Sequence, residues 1–415
     1  MSLSNRLLTK FGKGALELFP FASEGVKFVN GKEDLPKPVD GVITLKDGIT
    51  YYFITDIDLG GDRFETNGVV TILGTSSETA SITSTGLADN TPLLTSRYTL
   101  SMRDITLKDV HTGIYIDDNG GDSLALNWVG VNFLNVSNVG EIASVDNFIY
   151  DTGAFLGSQN LRFTGEVGTV GAINSLFQGD GSAKPIIEVA ATANITRRFR
   201  IIYSSVVAFG STVGIDVKAD STIPIEGFIL DTVNFSGGGT FLGGVNFDDE
   251  RASFISCKGV TNTTAIAQMF MKNNETETVV TTQGDRYPVA GTSETTTELN
   301  QKFTHILADN ALRYDSSVPR LFKVSLTFTV LAPQNNQIGI YIGRTRSGDI
   351  RDANADRRPE SEAYITTGGS RPDAGSIQTL IELAEGDEIY AIVQNISGTG
   401  NITMEFMNMI VERTN

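Results

Sequence analysis

Three acidic groupings have the residue types of a carbohydrate-cleaving centre: Asp117-Asp118, Asp146 with Asp151, and Asp248-Asp249-Glu250. Glycoside hydrolysis needs two carboxyls flanking one bond, at ~5 Å for retention or ~6.5–9.5 Å for inversion. Successive residues of a strand point to opposite faces, so adjacent carboxylates act together only where a bulge re-aims one. Asp117-Asp118 opens the run Asp117-Asp118-Asn119-Gly120-Gly121-Asp122, which reads as a turn. Asp248-Asp249-Glu250-Arg251 reads as a solvated loop. No pair is assigned as catalytic, and Asp117, Asp118, Asp248 and Asp249 stand as the candidates. Trp128, the single tryptophan, is a candidate for stacking on a sugar ring; its alternative is a core position.

Other chemistries find little to work with. There are two histidines, His111 and His305, which disfavours His-based zinc and triad sites. No Gly-x-Ser-x-Gly elbow stands in a strand-to-helix context. Cys257 is the only cysteine, so no internal disulfide or cysteine-cluster metal site is expected. Gly237-Gly238-Gly239 is not followed by Lys-Ser/Thr and is no phosphate loop. Neither a metal nor another cofactor is expected. The chain holds 32 Lys+Arg against 49 Asp+Glu, a net charge of −17. That balance argues against a nucleic-acid partner, which requires clustered cations. No run of 18 apolar residues exists, so membrane insertion by a helix is not expected, and residues 1–19 lack the apolar stretch of a signal peptide.

The 415 residues are glycine-rich, with 43 Gly, and no long stretch is dominated by helix formers. That is the profile of an all-β chain with many turns. From 39 to 265 the chain shows a loose repeat of two apolar residues around a variable one. Its members include Ile57-Asp58-Leu59, Ile105-Thr106-Leu107, Val131-Asn132-Phe133, Leu161-Arg162-Phe163, Ile187-Glu188-Val189, Val233-Asn234-Phe235 and Ile255-Ser256-Cys257. The period of about 25 residues predicts a solenoid. A right-handed parallel β-helix fits: each coil stacks ~4.8 Å from the next, and only stacked coils can bury their apolar side. Hairpin turns such as Asp47-Gly48 and Asn67-Gly68 are too sparse to favour a meandering sandwich over this region. In this register Arg162 and Glu188 lie on successive coils and can pair. Ile186, Val206 and Phe254 are expected to point outward, as candidates for a subunit interface.

The flanks differ. Residues 1–38 begin with Leu3, Leu7, Phe11 and Ala15 at helical spacing among Arg6, Lys10 and Lys13, which reads as a docking segment. Residues 266–300 are Thr-, Asn- and Glu-rich and read as a connector. In 301–415, Phe322, Val324, Leu326, Phe328 and Val330 alternate with polar residues, predicting a half-buried antiparallel strand. Leu380–Leu383 and Ile389–Val393 around Glu385-Gly386-Asp387 read as a hairpin. A β-sandwich of about eight strands accounts for this region.

Two stretches carry a resemblance. Ser101-Met102-Arg103-Asp104-Ile105-Thr106-Leu107-Lys108-Asp109-Val110 resembles the coils of phage tailspikes and of pectate-lyase-like solenoids. Leu383 to Val393, a Gly-Asp turn entering an aromatic-bearing strand, is similar to jelly rolls of the tumour-necrosis-factor and complement type. The resemblance implies a homotrimeric virion spike or fibre. Residues 1–38 would attach to a docking protein of the tail or capsid, the β-helix would be the shaft, and the jelly roll would be the trimerising tip. A host surface polysaccharide is the implied ligand, and binding is preferred to cleavage because no carboxylate pair is assigned. The alternatives are a polysaccharide depolymerase, a fibre decorating the capsid, and a non-viral secreted adhesin.

Overall fold

Apolar residues recurring one coil apart build the first of two units. The computed structural model describes residues 25–118, 124–245, 249–260, 265–295, 300–358, 361–368 and 371–414. The chain divides into one unit ending at residue 262 and a second beginning at residue 263.

The first unit is a parallel β-solenoid of about nine turns. Ten strands stack into sheet A, from Gly25–Val29 to Ala252–Ile255. Nine form sheet B, from Val42–Lys46 to Thr240–Gly243, and eight form sheet C, from Ile57–Asp58 to Asn234–Ser236. The chain visits sheets A, C and B in turn, and every strand pairs in parallel with its counterpart one turn away. At ~4.8 Å per step the solenoid is about 40 Å long.

Identical positions stack through the interior. In sheet A the inward column runs Tyr51, Ile72, Met102, Trp128, Tyr150, Ala172, Ile201, Leu230 and Phe254. In sheet C, Phe133, Phe155 and Phe177 stack edge-to-face, each pair of centroids 5.1 Å apart. All of these side chains are buried. One coil has nothing to bury against, and nine coils make a continuous core.

A left-handed residue ends each sheet A strand from the fourth onward: Asp104, Gly130, Thr152, Asn174, Tyr203, Thr232 and Ser256, with φ from 49° to 64°. Each corner N–H from Asp104 to Thr232 donates to the carbonyl that closes the next turn's strand, so the ladder continues through the bend. These corners recur every 22 to 29 residues, which is the period visible in the sequence.

The register differs from the sequence reading in one respect. Leu161-Arg162-Phe163 and Ile187-Glu188-Val189 belong to sheet B, whereas Ile57, Phe133 and Phe235 belong to sheet C. Ile186, Val206 and Phe254 are not outward: all three are buried in the core. Corner geometry turns two neighbouring residues inward at once, as at Ile186-Ile187, so simple alternation fails there. Residues 25–38, read with the docking segment, contain the first strand of sheet A and buried Leu35; residues 1–24 lie outside the described residues.

Exposed carboxylates brace the early coils. Asp56 accepts from Ser81 Oγ at 2.6 Å and pairs with Lys108 at 3.0 Å. The Ser81 bond, then Lys108, holds the Asp56 carboxyl below its usual range. Asp58 is lowered by the backbone N–H groups of Thr85 and Gly60, at 2.9 and 2.8 Å. A carboxyl whose folded pKa is depressed stabilises above its unfolded value near 4 and loses that contribution as pH falls through the folded value. The urea midpoint is expected to hold from pH 7 to 5 and to fall below about pH 4. Asp56→Asn should flatten part of that fall; an equal slope in the variant would exclude the assignment.

The second unit is a two-sheet antiparallel sandwich. One sheet orders Ile266–Met271, Ile402–Arg413, Arg320–Leu331 and Asp373–Leu383. The other orders Phe303–Ile306, Ala311–Tyr314, Glu388–Asn395, Gln337–Thr345 and Ala363–Thr366. Phe322, Val324, Leu326, Phe328 and Val330 all point into the shared core. The described part of the expected connector, residues 266–295, is woven into this sandwich: Ala267, Met269 and Met271 are fully buried, and their strand pairs with the carboxy-terminal strand. The Glu385-Gly386-Asp387 turn does not close a hairpin. It hands the chain from one sheet to the other, because Asp373–Leu383 pairs with Arg320–Leu331 while Glu388–Asn395 pairs with Gln337–Thr345.

Candidate ligand-binding site

The residues singled out from sequence do not converge. Asp117 ends a sheet B strand and accepts from Tyr115 Oη at 3.2 Å. Asp118 follows it directly, half-buried. Asp249 is clamped by Arg251 through Nε at 3.1 Å and Nη2 at 2.8 Å. Asp248 lies outside the described residues. Asp146 and Asp151 flank one sheet A strand, roughly 16 Å apart at ~3.3 Å per residue. That separation exceeds the hydrolytic range.

Trp128 is fully buried, 5.0 Å from Phe148 and 6.0 Å from Phe133 by ring centroids. It fills the solenoid and presents no face to a sugar, so its core alternative is the one the fold adopts. His111 Nδ1 lies 2.6 Å from the Asp89 carbonyl. His305 Nε2 lies 2.8 Å from Ser293 Oγ, and burial lowers its pKa. Ser293 is itself buried, so this contact fastens the chain and offers no nucleophile to solvent.

Outward positions of sheet B form a ladder of charge. Glu141, Arg162, Glu188 and Asp216 occupy successive coils. Arg162 bridges Glu141 at 3.4 Å and Glu188 at 3.5 Å, as their spacing predicts, and Lys218 pairs with Asp216. A catalytic acid wants an apolar, cation-free pocket. These carboxylates are tied to cations and give a polar, ordered face.

The sandwich carries a polar concavity. Asp309, Thr345, Arg346, Gly348, Asp349, Arg351, Gly386 and Glu388 line a cleft of about 250 Å³. Its walls come from three places. Asp309 stands in the turn between two strands of one sheet. Thr345 and Glu388 are paired across adjoining strands. Residues 346–351 form the loop between.

That loop is pinned. Asp387, buried, accepts from Ser347 N at 3.0 Å and from Ala384 N at 3.1 Å. Gly386 sits at φ 82°, with Ser347 packed where a side chain would go. Arg351 lies over the Tyr390 ring at 4.6 Å, donates to the Asp309 carbonyl at 3.0 Å and pairs with Glu388. Tyr390 donates to Asp356 at 2.7 Å, and burial together with that carboxylate pushes its phenol well up. The cleft therefore combines the fixed Arg351 guanidinium and the exposed Arg346 with carboxylate acceptors. Such a wall suits a small, hydroxyl-rich ligand, since vicinal hydroxyls both donate and accept. Its volume is below the ~300–1,000 Å³ of drug-sized pockets. One local signal of it is legible in the sequence, the Glu385-Gly386-Asp387 turn; its other walls are far apart in the chain.

Among the described residues no group of three or more His, Cys, Asp or Glu side chains could hold a metal ion. No helix among them is long and apolar enough to cross a membrane. No family model matches the sequence, and no curated protein matches it. Among solved structures the chain is similar to the tumour necrosis factor Eiger of S. frugiperda, with 11% identity, 37% of this chain, 94% of that one and a TM-score of 0.26. It is also similar to the globular domain of a zebrafish complement 1qA protein, with 9% identity, 36% and 96% coverage and a TM-score of 0.24. A third likeness is to the PRD1 vertex protein P5, with 11% identity, 36% and 96% coverage and a TM-score of 0.24.

Proposed function

We propose that this chain is a structural virion protein, a homotrimeric spike or fibre that binds a host surface polysaccharide. The solenoid serves as its shaft and the sandwich as its ligand-facing lobe. The observation that carries this reading is the pairing, in one chain, of a continuous solenoid core with a preformed polar cleft on a separate sandwich. Binding is favoured over cleavage because Glu141, Glu188, Asp216 and Asp249 are held in ion pairs. Three copies would present three clefts, and the second and third would engage at raised effective concentration. The strong negative charge opposes non-specific adhesion to anionic surfaces. Attachment to a tail or head protein is assigned to the amino-terminal segment.

The test combines mass and binding. Native mass spectrometry should give three chains of 44.6 kDa each. Against a panel of bacterial surface polysaccharides, Arg346→Ala and Asp349→Asn should each weaken retention at least tenfold with the mass unchanged. A monomer would remove the spike. Release of reducing ends from a retained polysaccharide would replace the binding role with depolymerisation.

A further inference from the structure

The three outer faces of the solenoid differ in chemistry. The outward column of sheet B runs Thr44, Glu65, Thr95, Tyr115, Glu141, Arg162, Glu188, Asp216 and Gly243, polar or charged almost throughout. Sheet C shows a mixed column of Asn132, Ala154, Leu176, Ser205 and Asn234. Sheet A is apolar. Val129, Ile149, Ile173, Ile202, Ile229 and Ile255 occupy outward positions of its last six strands, and each is partly exposed.

Its margins continue the pattern. Seven large apolar side chains of the described solenoid are exposed, and four of them border sheet A. Val69, Tyr98 and Ile225 stand just before its strands, and Tyr203 just after one. Tyr203 is 63% exposed and left-handed at φ 49°, at a corner where other turns use Asp104, Gly130 or Asn174. A bulky residue disfavours that backbone. An exposed tyrosine at such a corner fits a surface that is covered in the assembled protein.

Charges of both signs stand on the face: Arg103, Asp151, Glu166, Arg197, Arg198, Arg200 and Asp231, with Arg197 paired to Asp146. Arg200 reaches Asp231 at only 3.4 Å, and buried Arg200 Nε and Asp151 Oδ1 have no hydrogen-bond partner among the described residues. A second copy packed on this face would offer partners to these two atoms. The whole face measures about 40 Å by 15 Å, roughly 600 Å², of which the six strands bearing these apolar residues span about 25 Å, against the ~800 Å² per partner of a stable interface.

We infer that the outward face of sheet A is where copies of this chain pack against one another. The inference rests on the trimeric reading above and names the surface that builds it. On the full chain, Ile173→Asp with Ile202→Asp should raise the concentration for half-dissociation of the trimer at least 100-fold. Thr95→Asp on sheet B should leave it unchanged. If the double variant does not fold, Ile173→Cys in a Cys257→Ser background should link copies with a short bis-thiol reagent, and Thr95→Cys should not. A wild-type monomer overturns the trimer and this surface together. A wild-type trimer that survives the double substitution, or that links through Thr95→Cys and not Ile173→Cys, overturns the surface alone.

Discussion

Trp128→Ala is expected to cost the solenoid about 3–5 kcal/mol, the range for emptying a large aromatic site in a close-packed core. Trp128 touches its neighbours on both sides: Met102 one coil before, Tyr150 one coil after, Phe148 edge-on and Phe133 at a tilt. The solenoid core spans these coils without a break, so the resulting cavity cannot close without shifting several of them. The indole carries a second lesson, because its Nε1 has no hydrogen-bond partner among the described residues. A buried orphan donor costs on the order of 1–3 kcal/mol. Trp128→Phe removes that donor while keeping most of the ring, and its midpoint should stay within about 1 kcal/mol of wild type. Circular dichroism under urea reads both variants. Emission from this sole tryptophan should be blue-shifted and resistant to acrylamide. A quenchable, red-shifted emission with a neutral Trp128→Ala would return the residue to the surface.

Gly140→Ala should be among the most damaging single methyl additions in the solenoid. Gly140 lies inside a sheet B strand at φ 130°, and its partner in the preceding coil is Ile114. A Cβ built there would overlap the Ile114 carbonyl oxygen and come within 2.7 Å of the Ile114 side chain. The oxygen is backbone, so relief requires two coils to part. Backbone strain and overpacking together should cost roughly 3 kcal/mol or more. Gly238→Ala makes the comparison, since nothing lies within 4 Å of its added carbon. That change should fall within about 0.5 kcal/mol of wild type. Equal effects at the two glycines would contradict the close approach of the coils.

The period of the solenoid was legible because buried pairs such as Ile105/Leu107 and Val131/Phe133 return at each turn. Assignment to a face was not. All three sheets carry the same short apolar motif, and corner spacing varies from 22 to 29 residues, so Leu161 of sheet B could be mistaken for a member of sheet C. The alternation in 322–330 was readable because that strand has a polar outer side. Ile338, Ile340 and Ile342 alternate likewise and do form a strand, but the residues between them are buried as well, so that strand has no polar outer side there. The ends of the next two strands, Leu383 and Glu388, look like one hairpin in sequence but lie in opposite sheets. Nothing local distinguishes a turn within a sheet from one that crosses a core. The sandwich cleft escaped notice because its walls are joined by Asp387 and Arg351 through contacts distant along the chain.

The column of left-handed corners has an evolutionary consequence. Each corner restores the pairing offset before the next turn begins, so an inserted or deleted residue is absorbed where it occurs. The bulge at Val167/Thr169, which lets a longer strand pair without displacing later turns, is one such local accommodation. A duplicated corner-to-corner segment would slot into the stack as a finished tier, lengthening the rod by ~4.8 Å. Reach is thus a property that this architecture can change in discrete increments while every existing tier keeps its neighbours.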